Sequence, residues 1–183
     1  MKLTAKDIII SALFTALMIA GTFIRIPFPF LPVTLQTFFC ALAGMILGPR
    51  LGALSMTVYM LLGLLGVPVF AGGGGLTYIF NKSFGFILGF AAGAYVIGKV
   101  SKKLGKPSFA NNVKALIAGL FVIYLIGMLY MLLIMRVYLG NLEVGLLLVI
   151  YGNLPYLAKD IVLFLIAAAV SGAVIPRLQR TND

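Results

Sequence analysis

Asp160 is the residue of this chain whose setting most demands a chemical explanation. It precedes Ile161-Val162-Leu163-Phe164-Leu165-Ile166, which places a carboxylate inside an apolar helix near one end. At the centre of a membrane-spanning helix such a group costs about 2.5–3.5 kcal/mol on insertion scales. Two readings account for it. The carboxylate pairs with Lys159 or snorkels to the headgroups, or it accepts hydrogen bonds from the N–H groups of a ligand. The second is favoured because Asp160 is the only acid within a transmembrane segment.

A second set of candidates surrounds the run Gly63-Leu64-Leu65-Gly66-Val67-Pro68-Val69-Phe70-Ala71-Gly72-Gly73-Gly74-Gly75. Consecutive glycines do not make a lipid-facing helix, since each costs roughly 1 kcal/mol against alanine in a helix interior. Irregular backbone at membrane depth is tolerated only where protein buries it or it lines a cavity. The run is therefore a loop or the wall of a site, with Gly73 and Gly74 allowing a ligand close to the backbone. Asn81 and Lys82 follow. They cap and flank a helix start, or they combine with its unpaired N–H groups to receive an anion. Pro32-Val33-Thr34-Leu35-Gln36 closes a loop stiffened by prolines; Gln36 offers both donor and acceptor, or simply opens a helix. Tyr151, Asn153 and Tyr156 either cap the pocket or, for the tyrosines, mark the membrane interface, and Phe70, Tyr78, Tyr151 and Tyr156 are candidates to cover apolar parts of a ligand.

The elements that must position these residues are membrane helices. Of 183 residues 62% are hydrophobic and 10% charged, against about 25% charged in a soluble domain, and mean hydropathy is +1.15. The pattern predicts an all-α integral membrane protein, one domain over 1–183, with six spans at about 7–25, 35–47, 51–66, 79–100, 113–136 and 155–175. The second and third are joined by a tight turn at Gly48-Pro49-Arg50 and are short for a core that takes about 20 helical residues.

The net charge of +10 is distributed for a membrane rather than for nucleic acid. With the N-terminus inside, the inner ends carry Lys2, Lys6, Arg50, Lys99, Lys102, Lys103, Lys106, Lys114, Arg177 and Arg180; the outer side carries Arg25, Lys82, Arg136 and Lys159. That bias puts both termini in the cytoplasm. The prolyl loop, the glycine run and the Tyr151–Asp160 region then share the outer side, as walls of an outward-facing pocket. Histidine is absent and Asp7, Glu143, Asp160 and Asp183 are scattered, which argues against a metal site and a Ser/His/Asp triad. No nucleotide-binding Gly-x-x-x-x-Gly-Lys-Ser/Thr loop occurs, so any ATP-driven step needs another chain. Ala12, Ala16 and Ala20 recur on one helix face, a spacing that permits close helix packing. Spacing alone favours a contact inside the bundle over a docking face.

Pro32-Val33-Thr34-Leu35-Gln36, Leu47-Gly48-Pro49-Arg50-Leu51-Gly52 and the run from Gly63 to Gly75 resemble the BioY family, the biotin-specific substrate-binding (S) components of energy-coupling factor (ECF) transporters. The resemblance covers nearly the whole chain. It implies the six-helix S-component fold and biotin as transported ligand, with no cofactor and no enzymatic step. The implied partners are a transmembrane coupling subunit, docked on Ala12, Ala16 and Ala20, and two ATPase subunits. It further implies ligand contacts from Asp160, Asn81, Lys82, Gln36, Thr34, Gly73, Gly74, Tyr78, Tyr151, Asn153, Tyr156 and Lys159. Asp160 and Asn81 are the expected specificity pair, and Lys82, or else Lys159, faces the biotin carboxylate. Two positions depart from the family pattern. Asn81-Lys82-Ser83-Phe84-Gly85-Phe86 stands where the family continues Gly-Pro-Thr-Gly-Gly-Tyr, and Leu163 stands where the last helix often carries a lysine. The alternatives are an S component for a different vitamin and a small membrane enzyme or scaffold.

Overall fold

The computed structural model describes residues 3–27, 31–105 and 108–180. Lys2, Lys106, Asp183 and the Phe28-Pro29-Phe30 part of the prolyl loop lie outside them. Helix α1 (Ala5–Phe23) opens on a capping box: Thr4 Oγ1 accepts from the Asp7 amide at 3.2 Å, and the Thr4 amide donates to the Asp7 carboxylate at 3.0 Å. This satisfies two of the donors a helix start leaves orphaned. Two short strands, β1 (Arg25–Ile26) and β2 (Val33–Thr34), pair antiparallel across the prolyl loop and carry the chain into α2 (Gln36–Leu64).

Helix α2 is not straight. Gly48 holds φ 79° and ψ −174° immediately before Pro49, a combination that removes both the helical torsion and a backbone donor. Gln36 Nε2 lies 2.8 Å from Tyr59 Oη, whereas 23 residues of uninterrupted helix would separate them by about 35 Å. The element therefore folds back on itself as two antiparallel arms. Gly52 sits so close to the first arm that a Cβ there would meet the Ala43 carbonyl oxygen at 2.9 Å.

Helices α3 (Phe84–Leu104), α4 (Phe109–Leu133) and α5 (Leu146–Arg180) complete the bundle. α2 packs on α1, α3 and α5, and α4 packs on α3 and α5. Five helices are long and apolar enough to cross a membrane, the folded α2 counting once. Several boundaries differ from expectation. The predicted start at 79 divides into a 3-10 helix, Leu76–Phe80, and α3 proper, and α4 runs on into a π-helix, Ile134–Tyr138. α5 begins at Leu146 and carries Pro155 inside it. A proline removes one backbone donor, a loss that helices in a membrane absorb through their neighbours.

Close backbone approach holds α3 on the turn of α2. A Cβ at Gly98 would meet Pro49 N at 2.3 Å, Gly48 C at 2.5 Å and Gly44 O at 2.8 Å. All three are backbone atoms, so no rotamer change relieves the clash. Gly98→Val is expected to lower the unfolding temperature in detergent by about 5–10 °C. An unchanged melting curve would show that the two helices separate without cost.

The two ends of the bundle differ in chemistry. Asp7, Pro49, Arg50, Tyr95 and Lys102 surround a crevice at one end. At the other, the C-terminal turn of α1 meets both ends of α2 through Thr22, Gln36 and Tyr59.

Candidate functional site

A cavity enclosing about 560 Å³, its open mouth included, lies at the end marked by Gln36. Its polar wall is built around Asp160, which is 3% exposed. Thr37 Oγ1 donates to Asp160 Oδ1, Lys159 Nζ pairs with the same oxygen, and Tyr124 Oη donates to Oδ2 at 2.7 Å. Lys159 Nζ also donates to the Thr34 carbonyl at 2.9 Å. The ion pair with Lys159, one of the two readings open in sequence, is present, and the same carboxylate lines the cavity. An ionised carboxylate accepts about four hydrogen bonds, so these three donors leave room for one more on Oδ2.

A second network fixes the floor. Thr34 Oγ1 donates to Gln36 Oε1 at 3.0 Å, and Gln36 Nε2 donates to Tyr59 Oη at 2.8 Å. Tyr59 Oη in turn donates to the Val69 carbonyl at 3.1 Å and lies 3.1 Å from Thr22 Oγ1. Gln36 is thereby locked with one N–H of its amide still available to the cavity. The apolar wall comes from Tyr78, Phe86, Ile87 and Phe90. At the mouth, Tyr156 Oη accepts from the Leu31 amide at 2.8 Å and ties the end of the prolyl loop to α5.

The structure brings together Thr34, Gln36, Tyr78, Asn153, Tyr156, Lys159 and Asp160. The continuity of α5 explains three of them: Asn153, Tyr156 and Asp160 stand at i, i+3 and i+7, on one face. Tyr151 falls off that face and is 66% exposed. Asn81 is exposed and its Oδ1 accepts from the Ser83 amide and hydroxyl at 3.0 and 2.9 Å. It is a local turn-former, so the structure does not join it to Asp160. Lys82 does not line the cavity either, although its neighbour Ser83 does.

Gly73 and Gly74 are not among the residues that line this cavity. Gly73 holds φ 116° and exchanges backbone hydrogen bonds with Phe70 at 2.8 and 3.0 Å. A Cβ at Gly74 would meet the Val67 carbonyl oxygen at 2.3 Å. Gly74 thus packs against the backbone of Val67 and Gly63, and the residues of this stretch that line the cavity are Ala71 and Tyr78. Phe70 is buried against Tyr59, Tyr78 and Phe84 as core.

Thr37, Tyr124, Phe86 and Phe90 were not anticipated. A signal existed for two: Thr37 directly extends the Thr34–Gln36 stretch, and Tyr124 sits mid-helix, away from the interface where tyrosines gather. Phe86 and Phe90 have no sequence signal that separates them from lipid-facing residues.

The docking candidates lie elsewhere. Ala12, Ala16 and Ala20 are exposed along α1, while Ser11, Phe14, Thr15, Met18 and Thr22 face inward. The alanine face is not an internal contact among the described residues.

Residues 1–180 match the BioY family. A biotin transporter BioY of Thermotoga maritima is 34% identical over 167 residues, covering 91% of this chain and 94% of its own length. A probable biotin transporter BioY of Pyrococcus horikoshii is 37% identical over 176 residues, covering 96% and 97%. Among solved structures, an S-component for biotin from an ECF-type ABC transporter superposes with a TM-score of 0.72 at 25% identity, covering 96% of this chain and 91% of that one. The S component of another bacterial ECF transporter shares the fold, with a TM-score of 0.51 at 19% identity. With the bundle and its acid-centred cavity, these matches over nearly the full length show that the chain belongs to the BioY family.

Proposed function

We propose that this protein is the biotin-capturing S component of an ECF-type transporter, and that the cavity around Asp160 is where biotin binds. The observation that carries the reading is a buried, already partnered carboxylate with one acceptor position to spare, facing aromatic side chains across an open cavity. Biotin offers a ureido ring with two N–H donors and a carbonyl, an apolar sulfur ring and a carboxylate tail. Asp160 accepts a ureido N–H, the second N–H of the Gln36 amide meets the ureido carbonyl, and Tyr78, Phe86 and Phe90 cover the sulfur ring. Lys159, held beside Asp160, is the cation of the cavity wall; Lys82, one residue from the lining Ser83, serves the tail at the mouth.

The assembly follows the same logic. The two arms of α2 count as separate segments, which gives six. The end bearing Arg50 and Lys102 faces the cytoplasm with both termini, and the cavity opens outward; the surplus of cations at that end supports this orientation. A coupling subunit docks on Ala12, Ala16 and Ala20, whose small side chains admit a partner helix closely, and two ATPase subunits supply the energy.

Calorimetric titration with biotin, beside mass spectrometry of ligand retained through purification, tests the reading. The expected result is saturable biotin binding at one site per chain and biotin in the purified protein. A different retained vitamin, with no heat from biotin, would overturn it in favour of another substrate.

A further inference from the structure

Asn153 carries an unanswered hydrogen-bond acceptor. The side chain is 2% exposed and lines the ligand cavity. Its Nδ2 donates to the Val149 carbonyl at 2.8 Å and approaches Met131 Sδ at 3.6 Å. Only the amide nitrogen can donate to a carbonyl, so the orientation of the group follows from its partner. Oδ1 is left buried and without a hydrogen-bond partner among the described residues. A buried polar atom in that state costs about 1–3 kcal/mol unless something satisfies it.

Asn153 also borders a second crevice, between α4 and α5, lined by Ile117, Leu120, Phe121, Met128, Ile150 and neighbouring residues. Apart from Asn153 itself and Tyr124, whose hydroxyl hydrogen is given to Asp160, that lining is apolar and offers no donor. The donor for Oδ1 therefore comes from the ligand cavity.

We infer that Asn153 Oδ1 accepts the second ureido N–H of biotin, and that Asn153 and Asp160 together read the two N–H groups of the ring. This rests on the proposed function. The two residues stand seven apart on one face of α5, a rise of about 10 Å, with Tyr156 between them. The N–H groups of a cyclic urea diverge and reach acceptors up to about 8 Å apart, so each needs its own acceptor, and side chains from successive turns of one helix face can supply them. A ligand carboxylate, which has no hydrogen to give, cannot satisfy Oδ1. The ureido ring accordingly lies along α5, and the tail leads toward the mouth.

The test uses biotin and the two isomers methylated on one or the other ureido nitrogen, titrated against the unsubstituted protein and Asn153→Ala. In the unsubstituted protein both methylated isomers should bind at least about 10-fold more weakly than biotin, because each loses a used donor. Asn153→Ala should weaken biotin by about 10-fold and erase the penalty for one isomer only. Affinity ratios are compared within each protein, so a general loss of stability cancels. Free tolerance of methylation at either nitrogen by the unsubstituted protein overturns the assignment. So does an Asn153→Ala protein that keeps both penalties, which would make Asn153 a packing residue. If the unsubstituted protein binds no biotin at all, the functional reading fails and takes this one with it.

Discussion

Asp160→Asn should weaken biotin binding by about 100-fold while the protein still inserts and folds. The carboxylate presents acceptors only, and the Thr37 and Tyr124 hydroxyls already donate to it. An asparagine replaces one of those oxygens with a donor, so either a hydroxyl must turn around or the ligand must meet an N–H where it needs an acceptor. The charge is lost as well, and charge-assisted hydrogen bonds are roughly twice as strong as neutral ones. The fold survives because Lys159, with 24% of its side chain exposed, can turn toward solvent and keep its bond to the Thr34 carbonyl. Calorimetry on the purified variant, with a thermal melt as control, reads both. A near-normal melt with unaltered affinity would remove Asp160 from the site.

The second large effect lies on the opposite surface. Ala16→Trp should abolish assembly with the coupling subunit, and with it biotin uptake, while leaving biotin affinity within about twofold, a change of less than 0.5 kcal/mol. Ala16 is exposed and flanked by exposed Ala12 and Ala20, so an indole there points away from the bundle and disturbs no internal packing. It removes the close approach that small residues give a partner helix. Co-purification from membranes and uptake by cells report the loss; titration reports the sparing. Intact assembly in this variant would move the docking surface to another face.

Asp160, Gln36 and the spread of cations were legible because each violates the local expectation for a membrane segment. A charge among apolar residues, a polar stretch after a prolyl loop and lysines gathered at segment ends all stand out against their neighbours. Tyr124, Phe86 and Phe90 do not, because an aromatic in a membrane helix reads the same whether it faces lipid or ligand. The glycine run shows the limit from the other side. Its composition announced irregular backbone, and the backbone is irregular, with Gly66, Gly73 and Gly75 at positive φ, yet none of its glycines lines the cavity. Gly74 is closed off by the Val67 carbonyl, and Tyr78 rather than the glycines reaches the cavity.

Sequence by itself determined the membrane class, the apolar segments, the reversal at Gly48-Pro49 and the membership implied by long shared motifs. These depend on hydropathy, on backbone torsions and on residues close along the chain, all of which are local. Only the tertiary structure decided which polar groups meet. Thr37 and Asp160 are 123 residues apart, and Tyr124 and Asp160 are 36 apart. It also decided that α5 runs unbroken through Pro155, which turns Asn153 and Asp160 onto one face and Tyr151 away from it. Asn81 and Asn153 are equally polar in sequence. Burial separates them, because the Oδ1 acceptor of Asn81 is met by its own turn at the surface and that of Asn153 is buried without a partner among the described residues.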